Sequence, residues 1–142
     1  MYGELTHSPS VEILAVEETN GHDQGSGSVF GSGWNRHDVD LLMTFMSDDC
    51  VFETSSGPDT CGTRHAGRER VREAFTRVFT IFPDATFVDA RHFVAGNRGV
   101  SEWVFTGTTV DGKKLEVDGC DIFTFENDKI AVKSSYFKNR TA

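Results

Sequence analysis

The sequence has few cysteines, few basic residues and no long apolar runs, and each shortage excludes a class of protein. Its three cysteines, Cys50, Cys61 and Cys120, are an odd number without Cys-x-x-Cys spacing, so we expect reduced thiols. Lys and Arg total 14 against 22 Asp and Glu, which gives a formal net charge of -8. We therefore expect neither a nucleic acid nor an anionic membrane surface as a partner.

Membrane, metal and cofactor signals are missing as well. No apolar run is long enough to span a bilayer, and the first ten residues, MYGELTHSPS, have no basic region followed by an apolar core, so we expect a cytoplasmic protein. The histidines lack HxH or HExxH spacing, which predicts no metal site. Gly25-Ser26-Gly27 departs from the dinucleotide fingerprint because its third glycine falls one position late, and we expect no cofactor.

What remains is the composition of one globular domain: 142 residues, 37% hydrophobic, with 12 Phe. That much Phe indicates a core or pocket walled by aromatic rings. Residues 21–33 are rich in Gly and Ser and are predicted to be flexible or irregular. We therefore divide the chain into an N-terminal extension, residues 1–28, and a domain, residues 29–142.

The domain is predicted to be α+β. A short helix is expected over residues 39–46, capped by Asp38, and a longer one over residues 67–82, where apolar residues recur at helical spacing. Five strands complete the prediction, at residues 50–54, 86–94, 99–110, 114–126 and 129–138. The last four form an antiparallel meander with turns such as Asp111-Gly112. This sheet must curl over the longer helix to bury its apolar side, which leaves a cavity at the open end.

Asp121 is the residue in the strand 114–126 that carries a chemical hypothesis. Strand alternation places it on the same face as Val117, Phe123 and Phe125, so it is predicted to point inward. Because burial disfavours a charged carboxylate, an isolated Asp121 could stay protonated and donate a hydrogen bond to a developing enolate. An ionised Asp121 could instead exchange protons as an acid/base. The alternative is a structural aspartate satisfied by a neighbouring strand, a Tyr hydroxyl or water.

Several short motifs in order carry a family resemblance. They are Trp34-Asn35-Arg36-His37-Asp38, Phe45-Met46-Ser47-Asp48-Asp49, Gly67-Arg68-Glu69, Phe82-Pro83-Asp84, Phe105-Thr106-Gly107-Thr108 and Gly119-Cys120-Asp121-Ile122-Phe123. Together they resemble the SnoaL-like polyketide cyclase and ketosteroid isomerase branch of the nuclear transport factor 2-like proteins. The resemblance implies a cone-shaped (cystatin-like) fold, a curved antiparallel sheet wrapped on about three helices, and a homodimer formed through the sheet.

The resemblance also implies a role for Asp121, which aligns with the acid/base of the cyclases and an oxyanion donor of the isomerases. Two isomerase groups are replaced, because Thr54 stands where the base is expected and Phe30 where the oxyanion tyrosine is expected. We therefore expect a cofactor-independent isomerase or aldol-type cyclase that acts on a small apolar, polyketide-like carbonyl compound through Asp121. Steroid-type double-bond migration by the known constellation is not expected.

Other candidates surround the predicted cavity. His92 is a possible proton shuttle and Tyr136 a residue that could orient Asp121, so both are grouped with Asp121 as catalytic candidates. The residues expected to contact substrate are Phe30, Trp34, Phe52, Thr54, Phe79, Trp103, Phe105, Gly119 and Phe123. Two rival functions stay open: a non-catalytic dimeric module that binds a small ligand, and a dehydratase or hydrolase that uses His92 with Asp121.

Overall fold

The computed structural model describes residues 13–14 and 28–141. Ile13 and Leu14 are helical and are buried in the main core. Most of the predicted N-terminal extension, including Gly25-Ser26-Gly27, lies outside the described residues. None of the described helices is long and apolar enough to cross a membrane.

Within residues 28–141, three helices pack on one face of a sheet: α1 is Val29–Asn35, α2 is Val39–Thr44 and α3 is Arg68–Ile81. The irregular structure predicted for residues 21–33 is wrong over 29–33, which form most of α1. Ser28 caps this helix because its hydroxyl accepts the Gly31 N–H at 2.7 Å. Burial of Phe30 and Trp34 against the core outweighs the low helix propensity of glycine.

Helices α2 and α3 follow the prediction closely. Asp38 caps α2, with its carboxylate accepting the Leu41 N–H at 3.0 Å. This helix ends two residues earlier than predicted because the first strand already begins at Met46. Helix α3 buries Val71, Ala74 and Phe75, which are the apolar positions that predicted it.

Six strands form one open sheet in the order β2-β1-β6-β5-β4-β3. They are β1, Met46–Glu53; β2, Arg64–Ala66; β3, Thr86–Ala95; β4, Arg98–Thr108; β5, Lys114–Glu126; and β6, Lys129–Phe137. All neighbours are antiparallel except β1 and β6, which run parallel. The predicted α+β class and the curved sheet over three helices are therefore confirmed.

The inner face of the sheet and the helices enclose the core. Val117, Asp121, Phe123 and Phe125 of β5 are all buried, which matches the predicted alternation. The register of β6 contains a bulge: Phe125 pairs with Ile130 and Thr124 with Val132, so Ala131 is an extra residue. The bulge reverses the alternation, and Lys133 and Ser135, rather than Ser134 and Tyr136, face inward after Ile130.

Candidate functional site

Asp121 lies at the centre of a buried polar cluster on the inner face of the sheet. Its Oδ1 accepts hydrogen bonds from Lys133 Nζ at 2.9 Å and from Ser135 Oγ at 2.5 Å. Its Oδ2 accepts the indole N–H of Trp103 at 3.1 Å. Lys133 also donates to Ser135 Oγ, at 3.0 Å. Both carboxylate oxygens are therefore held in fixed directions by three side chains.

The strand register assembles this cluster. Ser135 is the cross-strand partner of Asp121, and Lys133 lies two residues before it on the same face of β6. On the other side, β4 places Trp103 opposite Gly119. A Cβ on Gly119 would lie 2.4 Å from the Trp103 ring, so only glycine leaves room for the indole to reach Asp121.

Lys133 is the principal residue that the sequence reasoning missed. Its side chain is only 5% exposed, and its Nζ lies 4.8 Å from the Trp34 ring centroid and 4.6 Å from that of Phe52. The expectation of an isolated Asp121 among phenyl rings is therefore wrong, because the carboxylate has a buried ammonium as its partner. Counting alternate positions from Ile130 would place Lys133 outward, and the bulge at Ala131 is what turns it inward.

A cleft of about 1180 Å³ opens at the end of the cone, beside the cluster. Lys133 and Ser135 of the cluster lie in its wall, whereas Asp121 does not line it. Of the residues predicted to contact substrate, five line it: Trp34, Phe52, Thr54, Trp103 and Phe105. The cleft thus combines aromatic walls with two polar groups, which is the usual chemistry of a small-molecule site.

Asp121 itself lines a second, small cavity of about 30 Å³ on the inner side of the cluster. Predicted residues Phe30, Trp34, His92, Trp103 and Phe123 lie in the wall of this cavity. His92 Nδ1 is 2.7 Å from Ser101 Oγ, and Ser101 lies in the same wall. One water needs roughly 10–15 Å³ by this measure, so the cavity admits about two waters and no organic substrate.

Trp34 lines both the cleft and the small cavity. Its Nε1 is buried and has no hydrogen-bond partner among the described residues. A buried indole N–H normally has an acceptor. The site therefore has a donor available for a ligand oxygen or a water.

Three predicted residues line neither the cleft nor the small cavity. Tyr136 is 53% exposed and pairs with Cys120 on the outer face of the sheet, so its predicted contact with Asp121 is wrong and Ser135 occupies that position. Phe79 is half-buried, stacks on His37 and packs against Trp34. Gly119 serves the site through the space it leaves for Trp103.

Other side chains with chemical potential stand apart from the cluster. Arg91 pairs with Glu102 at 3.6 Å in an exposed ion pair, and Asp89 is exposed at a bulge, so neither joins Asp121. Across residues 13–14 and 28–141, no three His, Cys, Asp or Glu side chains form a group that could hold a metal ion. All three cysteines are free, and burial raises the pKa of the Cys50 thiol.

Comparison with known proteins assigns the chain to a family. Residues 30–133 match the model of the SnoaL-like domain, and the chain belongs to this family. The family resemblance read from the short motifs is thereby confirmed. A search of curated proteins gives no match.

Several solved structures share the fold. TerC, co-crystallised with polyporic acid, has a TM-score of 0.70 and 19% identity over 92% of each chain. A hypothetical protein from Catenulispora acidiphila DSM 44928, with a ketosteroid isomerase-like fold and in complex with trimethylamine, has a TM-score of 0.67 and 15% identity, covering 77% of this chain and 82% of that one. A Pseudomonas putida KT2440 protein, provisionally described as a polyketide cyclase, has a TM-score of 0.68 and 17% identity over 77% and 86%. At these identities the likeness shows the fold alone.

Proposed function

We propose that the protein is a cofactor-independent isomerase or aldol-type cyclase that acts on a small, largely apolar carbonyl compound. The observation that carries the proposal is the buried Asp121–Lys133–Ser135 cluster beside an aromatic-walled cleft. The family is consistent with small-molecule cyclase or isomerase chemistry. Asp121 is the acid/base: by way of the Ser135 hydroxyl, on a residue of the cleft wall, it receives the proton from the carbon next to the carbonyl and returns it elsewhere on the product.

The contacts of Asp121 suit an acid/base. Trp103 holds Oδ2 and Ser135 holds Oδ1, so the carboxylate cannot rotate freely. Burial excludes water and strengthens every electrostatic interaction at the reacting carbon. Ser135 touches both the carboxylate and the cleft wall, so its hydroxyl gives a route by which a proton can pass between Asp121 and a bound molecule.

The cleft suits an apolar compound with at least one polar oxygen. Trp34, Phe52 and Phe105 supply aromatic surface, and the buried indole N–H of Trp34, which has no acceptor among the described residues, is a hydrogen-bond donor close to it. Relatives of the same fold were crystallised with small organic molecules, polyporic acid in one and trimethylamine in another. These observations support small-molecule binding by this chain.

The steroid isomerase constellation is not reproduced. Phe30 is buried in an aromatic cluster with Phe45 and Phe123 and has no donor to offer. The Thr54 hydroxyl is used within its own loop, where it donates to the Ser56 carbonyl at 3.0 Å and accepts the Thr63 N–H at 3.2 Å. The proposal therefore rests on Asp121 and its partners alone.

His92 enters this proposal through water. It shares the small cavity with Asp121, and that cavity admits water but no substrate. A water there can connect the imidazole to the carboxylate and exchange protons with it. A dehydratase or hydrolase in which His92 touches the substrate is not favoured by this position.

The test is hydrogen exchange at the carbon next to a carbonyl, because isomerases and aldol cyclases share this step. With 4-phenyl-2-butanone in D₂O, followed by NMR, the wild type should accelerate exchange over buffer. Asp121→Asn should lose about 10²–10⁴-fold of that acceleration. Circular dichroism verifies that the variant is folded. If an unpaired Lys133 prevents Asp121→Asn from folding, the double variant Asp121→Asn/Lys133→Met is measured in its place. Full exchange activity in either folded variant would show that Asp121 is not the acid/base, and no exchange by the wild type would favour a binding module.

We also expect a cytoplasmic homodimer formed through the outer face of the sheet. Tyr136 is 53% exposed there, and Phe93 of β3, which follows the inward-facing His92, is 59% exposed, so large aromatic side chains lie open on this face. Sedimentation equilibrium of the wild type and of Tyr136→Lys tests this expectation, and a monomeric wild type at micromolar concentration contradicts it.

A further inference from the structure

We propose that Lys133 forms a covalent iminium with the carbonyl carbon of its substrate, which would make the protein a lysine-dependent carbonyl enzyme. The proposal deepens the function above and rests on it in one respect, that the substrate is an aldehyde or ketone. The proposal comes from the position of the Lys133 side chain in the structure.

The first observation is the burial of Lys133. Lysine is almost never fully buried unless it is paired or functional. Lys133 has a side-chain exposure of 5%, whereas the other four lysines, Lys113, Lys114, Lys129 and Lys138, are all exposed. The chain therefore places one primary amine out of water, in the wall of the cleft of about 1180 Å³.

The second observation is what surrounds the amine. Aromatic rings of Trp34 and Phe52 lie within 5 Å of Nζ, which excludes water from one side. On the other side, a carboxylate oxygen and a hydroxyl oxygen lie at 2.9 and 3.0 Å. An amine in an apolar pocket with a proton acceptor in contact is the arrangement that activates lysine as a nucleophile toward carbonyls.

The covalent step balances with the groups present. Lys133 gives one ammonium proton to Asp121 Oδ1, and the neutral amine adds its electron pair to the carbonyl carbon while the C=O pair moves to oxygen. A proton moves from nitrogen to that oxygen, by way of Ser135 Oγ, and gives a neutral carbinolamine. Asp121 then returns its proton to the carbinolamine hydroxyl, water leaves, and the nitrogen pair closes the C=N bond of the iminium.

The step ends with an ionised Asp121 beside a cationic iminium. The iminium withdraws electrons from the neighbouring carbon, so a proton can leave that carbon through the Ser135 hydroxyl to the Asp121 carboxylate, and an enamine forms. This supplies the carbonyl activation that an acid/base alone lacks. The substrate class narrows accordingly to aldehydes and ketones, because esters, amides and carboxylic acids do not condense with an amine in this way.

The experiment is reductive trapping with benzaldehyde, which has no exchangeable hydrogen next to its carbonyl, and cyanoborohydride. Peptide mapping by mass spectrometry should find one benzyl group, on Lys133, before any exposed lysine is labelled. Lys133→Arg keeps a cation beside Asp121 but has no primary amine, and it should lose this label completely. Lys129→Arg, at an exposed lysine distant from the cluster, should label like the wild type.

The outcomes separate this proposal from the proposed function. Labelling that is spread over the exposed lysines, or that survives at wild-type extent in Lys133→Arg, overturns the iminium. If trapping fails while Asp121-dependent exchange of 4-phenyl-2-butanone persists in Lys133→Arg, the lysine acts only as a charge and the proposed function stands. If Lys133 is trapped but no exchange occurs, the iminium stands and the proposed function fails.

Discussion

Lys133 Nζ and Asp121 Oδ1 are 2.9 Å apart, and their side chains are 5% and 8% exposed, so the protein buries an ion pair in the inner wall of its cone. Bringing two charges out of water costs several kcal/mol per ion, and their attraction offsets this only when other hydrogen bonds complete the site. Trp103 and Ser135 supply those bonds here. Both carboxylate oxygens are therefore hydrogen-bonded, and the pair is sensitive to the loss of either member.

The first prediction concerns that sensitivity. Lys133→Met leaves Asp121 buried without its cation and should lower the free energy of unfolding by about 3–5 kcal/mol. Urea denaturation followed by circular dichroism measures it. The matched control is Lys133→Met/Asp121→Asn, which removes both charges and should recover most of the loss. A double variant as unstable as the single one would show that packing of the lysine stem, and not the unpaired carboxylate, sets the cost.

Ser135→Ala tests the hydroxyl that links the pair. The substitution removes a donor to a charged oxygen and an acceptor for the ammonium, which should cost about 1.5–3 kcal/mol in unfolding free energy. Exchange of 4-phenyl-2-butanone should also fall. The control is Ser134→Ala on the opposite face, expected within about 0.5 kcal/mol of wild type. Equal losses of unfolding free energy in the two variants would show that the hydrogen bonds of Ser135 do not stabilise the cluster.

Gly119→Ala tests the space that the indole occupies. The added Cβ would lie 2.4 Å from the Trp103 ring and 2.6 Å from the Tyr136 carbonyl oxygen, so the ring must move. We expect a loss of about 1–3 kcal/mol and a shift of the Trp103 Nε1–H resonance in ¹⁵N NMR, because its bond to Asp121 is broken. In a Trp103→Leu background the substitution should cost less. The same loss of unfolding free energy in both backgrounds would show that the added Cβ clashes with the Tyr136 carbonyl of β6 and not with the indole.

Much of the fold follows from local sequence patterns. The apolar positions of α3 and the turns at Asp111-Gly112 and Asn127-Asp128 predict their elements because periodicity and turn chemistry act over a few residues. Asn127 and Asp128 both adopt positive φ, as such a hairpin turn requires. The inward position of Asp121 follows likewise from unbroken alternation along β5.

The site depended on a feature that local patterns do not report. One extra residue, Ala131, exchanges the two faces of β6, so that Lys133 turns inward and Tyr136 turns outward. A bulge depends on how two strands pair, so the propensities of the neighbouring residues do not reveal it. A lysine in a strand ordinarily indicates a solvent-facing position. Helix α1 escapes prediction for a related reason, because the packing of Phe30 and Trp34 against the core stabilises it.

The last prediction concerns His65, which lies in the wall of the cleft next to Phe52. Burial, with Arg77 and Arg70 nearby, lowers the pKa of His65 from its ordinary value of 6.5. As the pH falls below 6.5, the unfolded chain therefore binds a proton before the folded protein does, and the free energy of unfolding must decrease. This contribution is fully present above pH 6.5 and is lost as the pH falls through the folded-state pKa. A ¹H–¹⁵N NMR titration should give His65 a midpoint below 6.5, and His65→Gln should flatten the acid limb of the stability profile. A midpoint at or above 6.5, or an unchanged acid limb in His65→Gln, would contradict the assignment of a desolvated, neutral imidazole to the cleft wall.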